Sequence, residues 1–267
     1  MLGDQTNIVQ EMLQQALKLH KHGQIEQAQA IYQEILKIQP KHFDSLHLLG
    51  VTYIQSGMYE LGADMIEEAI KINPNSPSAY NNRGNALKDL KRLDEALASF
   101  DRALALKPDY AEASFNRGNT LLDLRRLDEV LVCYDRALAF KPDYAEAYNN
   151  RGNTLRDLNR LDEALVNYDK ALVIKPDYAE AYNNRGNVLK DLKRLDEALV
   201  SFDRALALKP DYAEASFNRG NTLLDLRRLD EVLVCYDRAL VLKPDYPEAC
   251  FNRANALFDL KRLDDAL

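Results

Sequence analysis

Seven prolines, Pro40, Pro74, Pro108, Pro142, Pro176, Pro210 and Pro244, stand 34 residues apart. A fixed period of this size restricts a chain more than its composition does, because one supersecondary unit must recur and bury its apolar face against its neighbours. Between the prolines a common text returns: D-Y-A-E-A…R-G-N…L-D-E…Y-D-R-A-L-x-x-K-P. Numbered from the residue three after each proline, the units are 9–42, 43–76, 77–110, 111–144, 145–178, 179–212 and 213–246. A partial unit occupies 247–267, and residues 1–8 form a leader.

Each unit reads as two helices. Asp109-Tyr-Ala-Glu112 places a side-chain acceptor three residues before a glutamate, the spacing of a capping box, and predicts the start of helix A. Leu127, Val130, Leu131, Tyr134, Ala137 and Leu138 recur at three- and four-residue steps, which predicts an amphipathic helix B ended by the proline. Asp-Glu pairs such as Asp94-Glu95 and Asp128-Glu129 fit the first turn of helix B, where the macrodipole favours negative charge. The fold class expected is all-α.

The lettering resembles the tetratricopeptide repeat. The small residue at position 8 is Gly50, Gly84, Gly118, Gly152, Gly186 and Gly220, and the aromatic at position 24 is Tyr32, Phe100, Tyr134, Tyr168, Phe202 and Tyr236. Alanine recurs at position 27, while Val130 and Val232 depart from the small residue usual at position 20. The resemblance covers residues 9–267. It implies a right-handed superhelical solenoid of helix-turn-helix repeats with helix A lining the inside.

Several function classes fit the residues poorly. Catalysis needs a unique constellation, whereas most polar residues here recur in five or six copies, so the chain is read as no enzyme. All four histidines lie before residue 48, and His20-x-His22 has no third ligand at zinc-finger spacing, so no metal or other cofactor is expected. A net charge of −7 argues against a nucleic-acid surface. No apolar run is long enough to span a bilayer, and the N-terminus lacks a signal-peptide pattern, so no membrane is expected and a cytoplasmic location is the simplest reading. Cys133, Cys235 and Cys250 show no disulfide framework and are read as small packing residues.

Two rows of asparagine run through helix A, although asparagine is a poor helix former. Asn82, Asn116, Asn150, Asn184, Asn218 and Asn252 occupy position 6; Asn85, Asn119, Asn153, Asn187, Asn221 and Asn255 occupy position 9. Their spacing places them away from positions 8, 11 and 14, which pack inward. An amide offers both donor and acceptor and so matches an extended peptide backbone whatever its side chains. The repeats resemble those of O-linked N-acetylglucosamine transferases and their bacterial relatives, whose position-6 asparagines hold a substrate polypeptide in a concave groove. The same use is implied here, against a second reading in which the rows bond to neighbouring helices and order the repeats. On the first reading, alanine in place of Asn116, Asn150, Asn184 and Asn218 preserves or raises stability.

Arginine stands at position 7, where the family usually has leucine, and needs a carboxylate partner from the aspartates at position 25 or position 13. Positions 5 and 12 alternate together: Asn81 with Lys88, Asn149 with Arg156 and Asn183 with Lys190 are polar, but Phe115 with Leu122, Phe217 with Leu224 and Phe251 with Phe258 are apolar. The apolar pairs suggest exposed docking pockets, with packing or self-association as the competing role. A protein- or peptide-binding scaffold is the leading reading. The alternative is the substrate-recruiting region of a glycosyltransferase whose catalytic domain is absent, because residues 42–62 look like the first repeats of bacterial transferases of that type. At the partial unit, Leu257, Leu260 and Leu263 are expected to lack their normal cover and to favour self-association.

Overall fold

The computed structural model describes residues 2–260, with side chains placed from residue 7 onward. Among the described residues the chain forms fifteen helices and no strand. The first pair is α1 (Leu2–Lys21) with α2 (Ile25–Ile38), followed by α3 (Phe43–Gln55) with α4 (Tyr59–Ile72) and α5 (Pro77–Asp89) with α6 (Leu93–Leu106). Next come α7 (Ala111–Asp123) with α8 (Leu127–Phe140) and α9 (Ala145–Asp157) with α10 (Leu161–Ile174). The series ends with α11 (Ala179–Asp191) and α12 (Leu195–Leu208), α13 (Ala213–Asp225) and α14 (Leu229–Leu242), and α15 (Pro247–Asp259). Odd-numbered helices are the A helices and even-numbered ones the B helices. Since α1 begins at Leu2, the leader continues the first A helix. The expected B helix of the partial unit lies outside the described residues.

The chain divides into two compact units, Met1–Pro142 and Asp143–Leu267. Each is an all-α stack of the solenoid type, in which a helix packs on its partner and on the start of the next pair. Successive A helices also touch, α3 with α5 and α5 with α7 in the first unit, α9 with α11 and α11 with α13 in the second. Helices of 13 or 14 residues are marginal alone in water, so this burial, rather than propensity, stabilises them.

From α5 onward the close contact within a pair is a glycine against a ring. Tyr134, Tyr168, Tyr236, Phe100 and Phe202 are fully buried. A Cβ at Gly118 would stand 2.8 Å from Cε1 of Tyr134, nearer than any side chain tolerates, so helix A settles onto the aromatic only because position 8 has no side chain. Val130 and Val232 are absorbed into the same clusters at zero exposure.

Helix starts differ from expectation. Tyr110, not Asp109, is the residue before α7, and it makes no side-chain cap. Asp109 sits one residue too early, in the turn where Tyr110 N–H bonds the carbonyl of Lys107 at 3.2 Å. Glu112 instead accepts from Lys141 Nζ at 3.1 Å. Side-chain caps do occur at α3, where His42 Nδ1 accepts from Ser45 N–H, and at α5, where Ser76 serves Ala79. From α6 onward each B helix opens with an arginine fork on a glutamate three residues later, as Arg126 on Glu129 at 2.6 and 2.8 Å; α2 and α4 follow Gln24 and Met58 instead. The bend between A and B needs a left-handed residue: Gly23 and Gly57 supply it early, while Lys91, Arg125, Asn159, Lys193 and Arg227 adopt φ of 56–62° later.

At the far end, the expected bare leucines are corrected in part. Leu257 is 1% exposed, covered by the Tyr236 and Cys235 cluster of α14, and Leu260 packs beside it; Leu263 lies outside the described residues. The preceding B helix supplies this cover.

Candidate functional site

Within each unit, where position 5 is asparagine or histidine, position 6 of an A helix donates to position 5 of the A helix before it. Asn116 donates its Nδ2 to Oδ1 of Asn81 at 3.1 Å; Asn184 does so to Asn149 and Asn218 to Asn183, each also at 3.1 Å. Asn82 donates to Nε2 of His47, which holds position 5 in the second unit of the repeat, at 3.0 Å. The four acceptors are at most 8% exposed. The donors are half-buried, and the Oδ1 atoms of Asn116, Asn184 and Asn218 have no partner among the described residues. Each amide is therefore oriented by one bond while its oxygen remains open.

In the second unit the pairing changes at Phe217, the position-5 residue of α13. Asn252 follows Phe217 and turns to Oδ1 of Asn221 at 2.9 Å. Asn150 accepts from its neighbour Asn149 at 3.3 Å.

The second row depends on position 24. Asn119, Asn153 and Asn221 accept from the hydroxyls of Tyr134, Tyr168 and Tyr236 at 2.7–2.8 Å. Burial pushes the Tyr236 hydroxyl up to about 12 and Tyr168 in the same direction, so both stay protonated donors and the asparagines must accept. Phe100 and Phe202 carry no hydroxyl, and Asn85 and Asn187, half-buried in those repeats, have no side-chain hydrogen bond among the described residues. Asn255 is exposed on α15.

Two of the three apolar pairs are less open than expected. Phe115 lies 5.7 Å from the ring of Tyr134, and Phe217 lies 5.8 Å from Tyr236 and 4.9 Å from Tyr246. Both are half-buried, as are Leu122 and Leu224, which pack on the same clusters. The reason is geometric, since the tyrosine at position 24 reaches across to this stripe. Phe251 and Phe258 are exposed at 67% and 66%.

Arginine at position 7 pairs with position 25 of the preceding repeat. Arg117 Nε donates to Asp101 at 2.7 Å, Arg185 to Asp169 at 2.7 Å, Arg219 to Asp203 at 2.6 Å, and Arg83 to Glu67 at 2.6 Å. A second nitrogen reaches position 23 of its own repeat: Ser99 and Ser201 at 2.8 and 2.7 Å, the Sγ of Cys133 and Cys235 at 3.1 Å. The fork thus staples one B helix to the next. Cys133 and Cys235 are buried in this contact, whereas Cys250 is exposed and fills no core.

His20 Nε2 lies 2.9 Å from Gln55 Oε1, and His22 Nδ1 lies 2.7 Å from the carbonyl of Lys18. Sequence reading missed the position-5 asparagines and His47 as buried acceptors. The signal was present in the tyrosine-phenylalanine alternation at position 24 and the polar-apolar alternation at position 5.

Family models described as tetratricopeptide repeat match residues 19–83, 77–110, 179–212 and 213–246, and one described as TPR repeat matches 118–155 and 152–193. No curated protein matches the chain by sequence. Among solved structures, the chain is similar to YrrB, described as a TPR protein with an unusual peptide-binding site. Identity is 27% and the TM-score 0.61, over 72% of this chain and 98% of that one. It is also similar to MamA, at 25% identity and TM-score 0.56 over 62% of this chain and 96% of that one. With pilF of Pseudomonas aeruginosa, 18% identity and a TM-score of 0.71 over 80% and 97% of the two chains show the shared fold alone. Among the described residues no helix is long and apolar enough to cross a membrane. With family models spanning residues 19–110 and 118–246, the chain belongs to the tetratricopeptide-repeat family.

Proposed function

We propose that the chain is a scaffold that holds an extended polypeptide along the A-helix face of its repeats. The observation that carries this reading is the state of the amides. Asn116, Asn184 and Asn218 are held in place by one bond and keep a free oxygen, while Asn85 and Asn187 have both ends of the amide uncommitted. The held oxygens are prealigned acceptors for the N–H groups of a peptide backbone, so little side-chain entropy is lost when they engage, and Asn85 and Asn187 offer both donor and acceptor. Ordering the repeats and holding a ligand are therefore joint roles of one row. The similarity to YrrB supports the same class of partner. The narrower reading, in which the polypeptide is a substrate presented to a glycosyltransferase domain, rests on the resemblance of the repeats; gene sequence beyond Leu267 encoding such a domain would favour it.

The test uses Asn85→Ala with Asn187→Ala, because neither amide has a partner to orphan. A mass-encoded pool of random peptides is passed over the immobilised parent and the double variant. Peptides retained by the parent should bind the variant more weakly regardless of sequence, by about 0.5–1.5 kcal/mol per lost bond. A parent that retains none, or a variant that retains all of them equally, overturns the reading.

A further inference from the structure

Each compact unit carries one pair of open acceptors on neighbouring A helices. In the first these are Asn82 on α5 and Asn116 on α7; in the second, Asn184 on α11 and Asn218 on α13. Every one of the four amides is fixed by a bond from its Nδ2 to the preceding A helix, at 3.0 or 3.1 Å, and every Oδ1 lacks a partner among the described residues. Because the two oxygens of a pair hang from different helices, their separation follows the helix spacing. The helices α5 and α7 touch, as do α11 and α13, and packed helices stand about 8–10 Å apart.

That separation discriminates between backbone conformations of a bound polypeptide. Along a β-strand the N–H groups of one edge recur every second residue, about 6.6–6.8 Å apart, which is shorter than the acceptor spacing. In polyproline II they recur on one side every third residue, about 9.3 Å apart, which falls within it. With an acceptor only at every third residue, N–H groups at the two intervening positions gain no bond, so proline there forfeits none.

A ring accompanies each pair. Phe115 precedes Asn116 and Phe217 precedes Asn218, at position 5 of the same helices and beside the amide face. Phe115 stands 5.7 Å from the ring of Tyr134, while Phe217 stands 4.9 Å from Tyr246 and 5.8 Å from Tyr236. Both phenylalanines are half-buried, so these neighbours hold the ring in place and part of it remains open to a ligand. Aromatic surfaces of this kind receive proline rings, and a polyproline II chain loses little entropy on docking because it holds that conformation when free.

We propose that the ligand of these faces is a proline-rich segment in polyproline II conformation, of the Xaa-Pro-Pro kind. Its single N–H per turn meets Asn82 and Asn116, or Asn184 and Asn218, and its prolines lie on Phe115 or Phe217. The inference rests on the scaffold reading above and narrows it to one conformation and one composition.

The experiment is a fluorescence-anisotropy titration of the full chain with three labelled peptides of equal length. The first is (Ala-Pro-Pro)5; the second replaces each alanine by lactic acid, which exchanges every N–H for an ester oxygen; the third is a β-prone alternation of threonine and glutamine. The first should bind saturably and at least threefold more tightly than either of the others. Phe115→Leu with Phe217→Leu, which keeps apolar packing but removes the ring faces, should weaken it at least threefold in a variant whose circular dichroism matches the parent. Should that variant unfold, the ester comparison on the parent still decides. No binding of (Ala-Pro-Pro)5, equal binding of the ester, or equal or tighter binding of the threonine-glutamine peptide overturns the proposal. If the random peptide pool is still retained by the parent, the scaffold reading survives that failure; if nothing is retained, both fall.

Discussion

Asn218 donates to Oδ1 of Asn183 across one repeat at 3.1 Å, and Asn183 is fully buried. The bond reverses an expectation drawn from helix propensity. Alanine at 218 gains about 0.7 kcal/mol of propensity but strands a buried acceptor, which costs about 1–3 kcal/mol. Asn218→Ala should therefore lower stability in urea by about 1 kcal/mol, whereas Asn187→Ala should be neutral or stabilising by about 0.5 kcal/mol. The opposite order would show that the inter-repeat bond contributes little.

Lys193 holds φ at 62° and Asn159 at 56°, in the bend where Gly57 stands in an earlier repeat. A left-handed non-glycine residue costs about 1–2 kcal/mol, less for asparagine, while glycine adds unfolded-state entropy of about 0.5–1 kcal/mol. Lys193→Gly should raise the melting temperature, and Asn159→Gly should change it little. Calorimetry on the two variants decides between strain at this bend and a bend that tolerates any residue.

His47 is a pH-sensitive link in the amide row. Burial lowers its pKa below the ordinary 6.5, with Asp44 acting in the opposite sense, and its Nε2 must be unprotonated to accept from Asn82. The unfolded chain then binds the proton more readily, so stability is fully present above about 6.5 and falls as pH drops through the lowered folded value. His47→Asn, which copies position 5 of the later polar repeats, should flatten that fall. Melting curves between pH 7.5 and 5 should show the parent losing more than the variant; parallel curves would refute the link.

Gly118 and Tyr134 form a tight pair. Gly118→Ala brings a methyl to 2.8 Å from the ring and 3.1 Å from the Cβ of Cys133, so overpacking should cost about 1–3 kcal/mol. Adding Tyr134→Val should recover part of that loss, measured as a non-additive double-mutant cycle. Additive losses would place the strain elsewhere.

Much of the fold was legible in the sequence because it is built from local, repeated spacings. Helix A occupies positions 1–13 and helix B positions 17–30 in every later repeat, as the apolar steps and prolines imply. The rings at position 24 are buried where the period places them, and Arg117 finds a carboxylate at one of the two positions offered. These depend on helix geometry, which a few neighbouring residues dictate.

The candidate site was legible only in outline. That Asn116 meets Asn81 rather than any other asparagine depends on the lateral register of two stacked A helices, and the period alone does not state that offset. Asp109 has the composition of a cap yet lies one residue outside the helix, because the turn after Pro108 places Tyr110 at its start. Phe115 was read as exposed from its stripe, but a tyrosine from the partner helix covers it. Sequence alone determined which residues share a face; tertiary structure decided which faces meet, because burial and hydrogen bonding between helices are set by the distances at which whole elements settle, not by the spacing within any one of them.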